Sequence, residues 1–406
     1  MYDGGYFGYR DYFTHADFSC WDYKKKEKKK KKKKDKMPYV SNVIKAGSGR
    51  NRSYAGQWAA DAVMSNRTSS AAPRKLILNV SDQCNLACSM CTYHPGQLEQ
   101  RMTLDDWKKL VADTYSSGIV YTLFGGEPFL YEHIDELITY MGSLGVPMNV
   151  VTNGYYLRDH LKVLRENQCH IVLSIDGLRE VHDQIRGRAG TFENIENALS
   201  EICRTYTDEQ KGLVSVNSVL LPDNAHQVRQ LIDYLYGIGI SCVCFQHLQF
   251  FGEKEKQGTD EIWKDYAGQP FHSLMIPRKK YDFTKEVIEK LQDAVQNIQE
   301  AQRCYPDMEI YIFPELSAEE LELYYSDRHG ELHDKSRCLN PWASASVSAD
   351  GNISLCLDAC IGNYKEQNFW SAWYGEKAIR LRNMVTGHVF PVCTRCCNFY
   401  NSYLPI

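Results

Sequence analysis

Short strand-like runs rich in apolar residues recur at six places along the chain, the first of them alternating with a period of two, and longer patterns of helical period lie between them. The first stretch is Lys75-Leu76-Ile77-Leu78-Asn79-Val80-Ser81, and such alternation marks a strand with one face buried. Further strand patterns lie near residues 119, 148, 171, 214 and 242. Between the first two, residues 103–116 read as a helix, with Thr103 as N-cap and Asp105 and Asp106 in the first turn. There a polar or acidic side chain meets unpaired N–H groups and the positive end of the helix dipole. Residues 131–144 carry a second helical pattern. Strands alternating with helices predict a parallel sheet with right-handed crossovers. Six such units are too few to close an eight-stranded barrel. The expected fold is α/β, a partial (β/α)6 TIM-like barrel, with its site at the C-terminal strand ends.

The pattern changes after the sixth strand. Residues 75–248 form the core, and residues 249–337 form a connecting segment. That segment holds a lysine- and glutamate-rich loop near 253–260 and a strand Met308–Phe313. Between them runs a helix over 283–303 with Val287, Leu291, Ala294, Val295 and Ile298 on one face. The segment is either a spacer or part of a substrate pocket. Residues 338–406 form a small C-terminal domain. Its Asp350-Gly351 is a hairpin turn between Ser344–Ser348 and Asn352–Leu355, and residues 376–386 are helical.

Residues 1–74 are a tail and lead-in. Residues 24–36 hold 11 lysines against two acids, a block that self-repulsion keeps disordered. Residues 1–36 carry net +6 and the whole chain −4, so residues 37–406 carry −10. A folded part of that sign is not a specific nucleic-acid binder. No apolar run approaches the ~18 residues of a membrane span, and no signal-peptide core is visible.

The candidate chemistry lies in cysteines. Cys84, Cys88 and Cys91 follow the first strand with spacing C-x3-C-x2-C. Three thiolates so close can hold three corners of a [4Fe-4S] cube and leave one iron open to a small molecule. Zinc is the rival at this point, although structural zinc usually takes four ligands in separated pairs. The second strand ends in Gly125-Gly126-Glu127-Pro128, where glycines let backbone approach a ligand closely. The fourth ends in Ser174-Ile175-Asp176-Gly177, and Arg186-Gly187-Arg188 follows. A second cysteine set comprises Cys338, Cys356 and the pair Cys393-Thr394-Arg395-Cys396, with Cys360 and Cys397 alongside. The hairpin can bring Cys338 and Cys356 together.

The cysteine trio and the Gly-Gly-Glu-Pro strand end together resemble the radical S-adenosylmethionine (radical SAM) superfamily. The second set resembles the auxiliary-cluster domain of that superfamily, known as SPASM or, when shorter, twitch. The resemblance implies S-adenosylmethionine and two [4Fe-4S] clusters as cofactors. It assigns Cys84, Cys88 and Cys91 to the open cluster, and Cys338, Cys356, Cys393 and Cys396 to the auxiliary one, with Cys360 and Cys397 as alternates. Gly125, Gly126 and Glu127 would meet the methionine moiety, with Glu127 also suited to capping a following helix. Ser174 would contact ribose and methionine, and Asp176 would be either a ligand or a loop cap. Arg186, preferred over Arg188, would pair with the cofactor carboxylate, which a planar guanidinium suits.

The implied activity is reductive cleavage of the cofactor to a 5′-deoxyadenosyl radical that abstracts hydrogen from a C–H bond. Flavodoxin or ferredoxin would supply the electron. The expected substrate is a peptide or protein, as in ribosomal peptide maturation; alternatives are a sugar or other small metabolite, or a non-catalytic cluster or zinc scaffold. Epimerisation would need a hydrogen donor, for which Cys242, Cys244 and Cys304 are candidates against the plainer reading of buried structural thiols. The chain has 15 cysteines, which suits a reducing compartment, the cytoplasm.

Overall fold

The computed structural model describes residues 72–91, 98, 100–267, 271, 281–332, 336–356, 359–387, 389–397 and 404–405. The lysine tract and most of the predicted lead-in lie outside them. Seven strands run parallel and adjacent in chain order: β1 (Lys75–Ser81), β2 (Val120–Gly125), β3 (Met148–Thr152), β4 (His170–Ser174), β5 (Val214–Leu220), β6 (Cys242–His247) and β7 (Glu309–Phe313). The first six are the predicted units, and β7 is the strand expected in the connecting segment. Helices link them. α1 (Leu104–Thr114) begins at the expected cap, where Thr103 Oγ1 accepts from Asp106 N and the Asp106 carboxylate accepts from Thr103 N. α2 spans Ile134–Ser143, α3 Leu157–Glu166, α4 Arg179–Arg186 and α5 Thr191–Thr205. α6 spans Val228–Gly237, α7 Glu253–Ala267 and α8 Lys285–Cys304.

The strands alternate along their length. Leu76, Leu78, Leu123, Val150, Ile171, Leu173 and Val243 are fully buried under the helices. Tyr121 identifies this outer face, because its hydroxyl bonds Thr114 of α1 at 2.7 Å. On the other face, Asn79, Phe124, Val151, Val172, Asn217, Gln246 and Tyr311 are half-buried. A parallel sheet covered on both sides would read as continuous apolar runs. The alternation therefore records one face against helices and one lining an open lumen.

The C-terminal domain continues this sheet. β9 (Ser344–Val347) pairs in parallel with β1, and β10 (Asn352–Ser354) and β11 (Cys360–Asn363) follow antiparallel; the two-residue β8 (Ser336–Arg337) pairs elsewhere with residues 404–405. Gly351 makes the predicted hairpin turn with φ of +90°. The expected loop near 253–260 is instead the start of α7. Charge composition hid it, but Lys256 and Asp260 pair at 2.6 Å across one turn, and Thr259 and Trp263 are buried. Gly258, unfavourable in a helix interior by ~1 kcal/mol, sits where α7 meets Pro391; a Cβ there would lie 3.1 Å from the proline ring.

Two histidines are buried in this frame. Burial pushes His170 down to about 4 and His247 to about 3. Both pKa values lie below the unfolded value, so their contribution is present above about pH 6.5 and is lost as pH falls below it. Urea midpoints should fall between pH 7 and pH 5, each histidine contributing about 2 kcal/mol at pH 5. His247→Gln, which keeps a partner for the Tyr325 hydroxyl now 3.0 Å from Nδ1, should remove one histidine's share of that slope.

Candidate active site

The segment Gln83–Cys91 leaves β1 with almost no regular structure of its own. Its shape comes from neighbours. Ser89 N donates to Ile185 O at 2.8 Å, and Arg188 Nη1 to Asn85 O at 3.2 Å. The Asn85 side chain accepts from Asn153 Nδ2 at 2.9 Å, at the end of β3. Gly187 caps α4 with φ of +72°, and a Cβ there would stand 2.5 Å from Ala87 O. Only glycine lets the helix end come this close. Arg188 is itself fixed by Tyr155, bonding its hydroxyl at 2.8 Å with the guanidinium 4.0 Å from the ring centre.

The clasp brings the three thiols within electrostatic reach of one another. Cys91 N donates to Cys88 O at 3.1 Å, closing a turn. Burial raises the thiols of Cys84 and Cys88, while Arg186 beside Cys88 pulls the latter back. Arg186 Nη1 lies 3.9 Å from Cys88 Sγ, and Nη2 lies 2.6 Å from Asp176 Oδ2. Its Nε is buried with no partner among the described residues.

Asp176 is fully buried, accepts from Val219 N at 2.7 Å through Oδ1, and faces Arg186 through Oδ2. Burial lifts its carboxyl above the usual range, against the pull of Arg186. Strand β4 ends at Ser174, so period-two alternation does not carry to residue 176. Ser174 faces the lumen half-buried, while Asp176 ties the loop and the arginine. Asp176 thus ties the loop after β4 to β5 and to Arg186.

The Gly-Gly-Glu-Pro end packs its backbone against β1, and Glu127 acts as a cap on a shorter turn than the helix expected. Gly125 lies so close to β1 that a Cβ would sit 2.3 Å from Ser81 O. Gly126 N and Glu127 N donate to Ser81 O and Gln83 O at 3.0 and 2.8 Å. The fully buried Glu127 carboxylate takes Phe129 N and Thr152 Oγ1 on one oxygen and Asn153 N on the other. It caps the short turn Pro128–Leu130 and joins the β2 and β3 ends. Burial pushes its carboxyl up to about 7.

In the second set, Cys338 and Cys393 interact electrostatically, and Cys396 N closes a turn on Cys393 O at 3.0 Å. Asn340 Nδ2 donates to Leu355 O at 3.0 Å, joining the Cys338 and Cys356 segments. Cys356 and the exposed Cys360 both act on the Tyr266 hydroxyl. Cys397 acts instead on Cys244 of β6. Among the described residues, no three Cys, His, Asp or Glu side chains close on one point as ligands of a single ion would.

Arg395, between Cys393 and Cys396, was not singled out by sequence. It is 2% exposed, and donates to Tyr324 O at 2.6 Å and Ser326 O at 2.8 Å. It also meets His329 Nδ1 at 2.7 Å and Glu255 Oε1 at 3.3 Å, while His329 Nε2 lies 2.8 Å from the same glutamate oxygen. The guanidinium packs 4.1 Å from the Phe250 ring centre. Thus α7 and the connecting segment hold the C-x2-C turn.

Of the three hydrogen-donor candidates, Cys242 and Cys244 lie on the lumen face of β6, in register with Glu309 and Tyr311. Cys304 does not join them: it ends α8 on the outer layer, exposed and beside Arg229 of α6. Burial raises Cys242 well above its ordinary value and Cys244 to about 12.

These contacts separate the two thiol sets. Gly187→Ala should displace the first loop, lowering iron after anaerobic reconstitution from about eight toward about four per chain. Arg395→Met strands Glu255 and His329 and should cost about 3–5 kcal/mol, with iron loss confined to the second set; electron paramagnetic resonance of the reduced proteins distinguishes the two.

Comparison with known proteins identifies the family of both parts of the chain. Residues 78–235 match the family model of the radical SAM superfamily, and residues 338–397 match that of the SPASM iron–sulfur cluster-binding domain. Fe-coproporphyrin III synthase of Methanosarcina barkeri is 25% identical over 307 residues, 73% of each chain. PqqA peptide cyclase of Methylocella silvestris is 27% identical over 188 residues, 44% of this chain and 48% of that protein. The fold resembles Streptococcus suis SuiB bound to the precursor peptide SuiA, with a TM-score of 0.58 at 14% identity over 83% of this chain and 73% of that one. S-adenosylmethionine and two [4Fe-4S] clusters are accordingly the cofactors. The chain belongs to the radical SAM superfamily and pairs its radical SAM core with a SPASM iron–sulfur domain.

Proposed function

We propose that this enzyme abstracts hydrogen from a C–H bond of a peptide, in maturation of a ribosomally made precursor. The observation that carries the reading is the clasped loop, which sets three thiols at the mouth of an open lumen. The residues present fit the cofactors. The thiols of Cys84, Cys88 and Cys91 act on one another, a donor set suited to three irons of a cube. The unpartnered, buried Nε of Arg186 points to a missing acceptor. In the second set, Cys338, Cys393 and Cys396 with Cys356 would hold the auxiliary cluster, and the exposed Cys360 and the lumen-side Cys397 are less suited.

When bound, the cluster and S-adenosylmethionine supply a 5′-deoxyadenosyl radical. The chain's own residues orient and shield. Arg186, held by Asp176, places a fixed positive charge beside Cys88 and toward the cofactor carboxylate. Ser174 offers a hydroxyl at the lumen rim. Gly125 and Gly126 let backbone approach the methionine moiety, and Glu127 acts by fixing that backbone. The lumen walls keep water from the reacting carbon, because a primary carbon radical takes the nearest hydrogen. Cys242 and Cys244 are the thiols positioned to return a hydrogen atom. Flavodoxin or ferredoxin supplies the electron, and the enzyme works in the cytoplasm. Among the described residues no helix is long and apolar enough to cross a membrane.

Relatives named for peptide chemistry support the peptide, as does the likeness to SuiB with its precursor. A second reading, a small-molecule substrate such as a tetrapyrrole, draws on the match to Fe-coproporphyrin III synthase, which runs through most of both chains. The test is anaerobic reconstitution, reduction with dithionite and assay of 5′-deoxyadenosine. Product should exceed that of Cys84→Ala by at least about 100-fold; equality would end the reading. Arg186→Lys, which keeps charge but loses the planar fork, should cost about tenfold.

A further inference from the structure

The lumen has a chemistry that the cofactor residues do not use. Its floor is polar: Thr122, Asn149 and His170 stand side by side in register across β2, β3 and β4. Thr122 Oγ1 and Asn149 Nδ2 are buried without a partner among the described residues, in side chains 4% and 2% exposed. A buried polar atom left unpaired costs about 1–3 kcal/mol, so these two atoms call for a ligand or a bound water. Above them, Asn79, Asn217 and Gln246 are half-buried on the same face. Four carboxamides thus line one lumen. A carboxamide holds a donor and an acceptor side by side, the complement of a peptide group's C=O and N–H.

Charge is nearly absent there. Among the described lumen-facing strand residues, Lys75 and Glu309 alone are charged, and both lie at the N-terminal strand ends, away from the cofactor corner. Glu309 is further occupied by the Tyr311 hydroxyl at 2.9 Å. Among the described residues, the arginines that touch the cysteine loop are committed elsewhere: Arg186 to Asp176 and, in the reading above, to the cofactor carboxylate, Arg188 to Asn85 and Tyr155. No lumen-facing strand residue near the rim therefore offers the guanidinium that a carboxylate-rich substrate would need. The wall is not uniformly polar, since Phe124, Val151 and Val172 face the same space. Amides beside apolar surface match an uncharged peptide stretch.

We infer that the lumen takes an uncharged peptide segment, its amides read by the carboxamides of Asn79, Asn149, Asn217 and Gln246. This rests on the peptide-modifying reading above and narrows it. Carboxylate-rich ligands are excluded by the cost of burying unpaired charge.

Binding tests this without turnover. Unreduced holoenzyme with S-adenosylmethionine is dialysed to equilibrium against three probes: a pool of blocked, uncharged short peptides, a matched glutamate-rich pool, and coproporphyrin III, a polycarboxylate. The uncharged pool should be retained at least about tenfold better than either other probe. Asn217→Asp, which replaces a donor by a charge, should cut retention of the uncharged pool at least about tenfold, and Asn217→Ser should keep it within about threefold. Equal retention of the two pools, no retention of the uncharged pool, tighter binding of coproporphyrin III, or an unchanged Asn217→Asp would each overturn the inference. The deoxyadenosine assay reads the parent proposal separately. Retained peptide without deoxyadenosine breaks that proposal alone, and deoxyadenosine without retained uncharged peptide breaks this inference alone.

Discussion

The chain's chemistry depends on a close approach between two backbones. The loop carrying Cys84, Cys88 and Cys91 has no ladder or helix of its own, so its shape comes from its neighbours, above all from the end of α4 that presses against it. Gly187 makes that contact possible, with its α-carbon against Ala87 O. Arg188 and Ser89 make the hydrogen bonds on either side. The cost of ordering an irregular loop, about 1–2 kcal/mol per residue, is offset by this clasp and by the Asn85–Asn153 bond. Asp176, Arg186 and Cys88 continue the line inward, so the same helix end that shapes the loop sets the charge beside its central thiol.

A second joint ties the auxiliary domain to the core, and it works by different physics. At one edge, β9 extends the sheet through backbone pairing with β1. At the other side, Arg395 buries a guanidinium among Glu255, His329 and two carbonyls. Buried ion pairs add little net stability but make one arrangement far better than its neighbours, since any partner left alone is costly. That gives the C-x2-C turn a fixed place relative to β6 and the lumen. Between the joints lies a cavity wall whose outer face is apolar and whose inner face is largely polar and uncharged.

The parts legible in sequence were those with a local periodic signal. The six core strands, the strand before the C-terminal domain, the Thr103 cap and the Gly351 hairpin all follow from alternation, capping and turn chemistry. The two cysteine sets were legible as motifs. What stayed hidden is tertiary. Nothing near residue 75 or residue 344 announces that these strands will pair. α7 was masked by its charges and by Gly258, whose small size serves contact with Pro391. The motif around Glu127 does not show that both carboxylate oxygens join strand ends. The sequence does not mark β4 as ending at Ser174, so it does not show Asp176 tying the loop beyond the strand. Cys304 looked close to the other thiols in sequence, but a helix of 20 residues carries it to the outer layer.

The central claim is that the clasped trio leaves one cluster corner open to S-adenosylmethionine at the lumen mouth. The most direct measurement is electron paramagnetic resonance of the reduced enzyme in a Cys338→Ala/Cys393→Ala background, where signal from the second cluster is removed. Adding S-adenosylmethionine should shift the remaining cluster's g-values. A spectrum indifferent to the added cofactor would contradict the account.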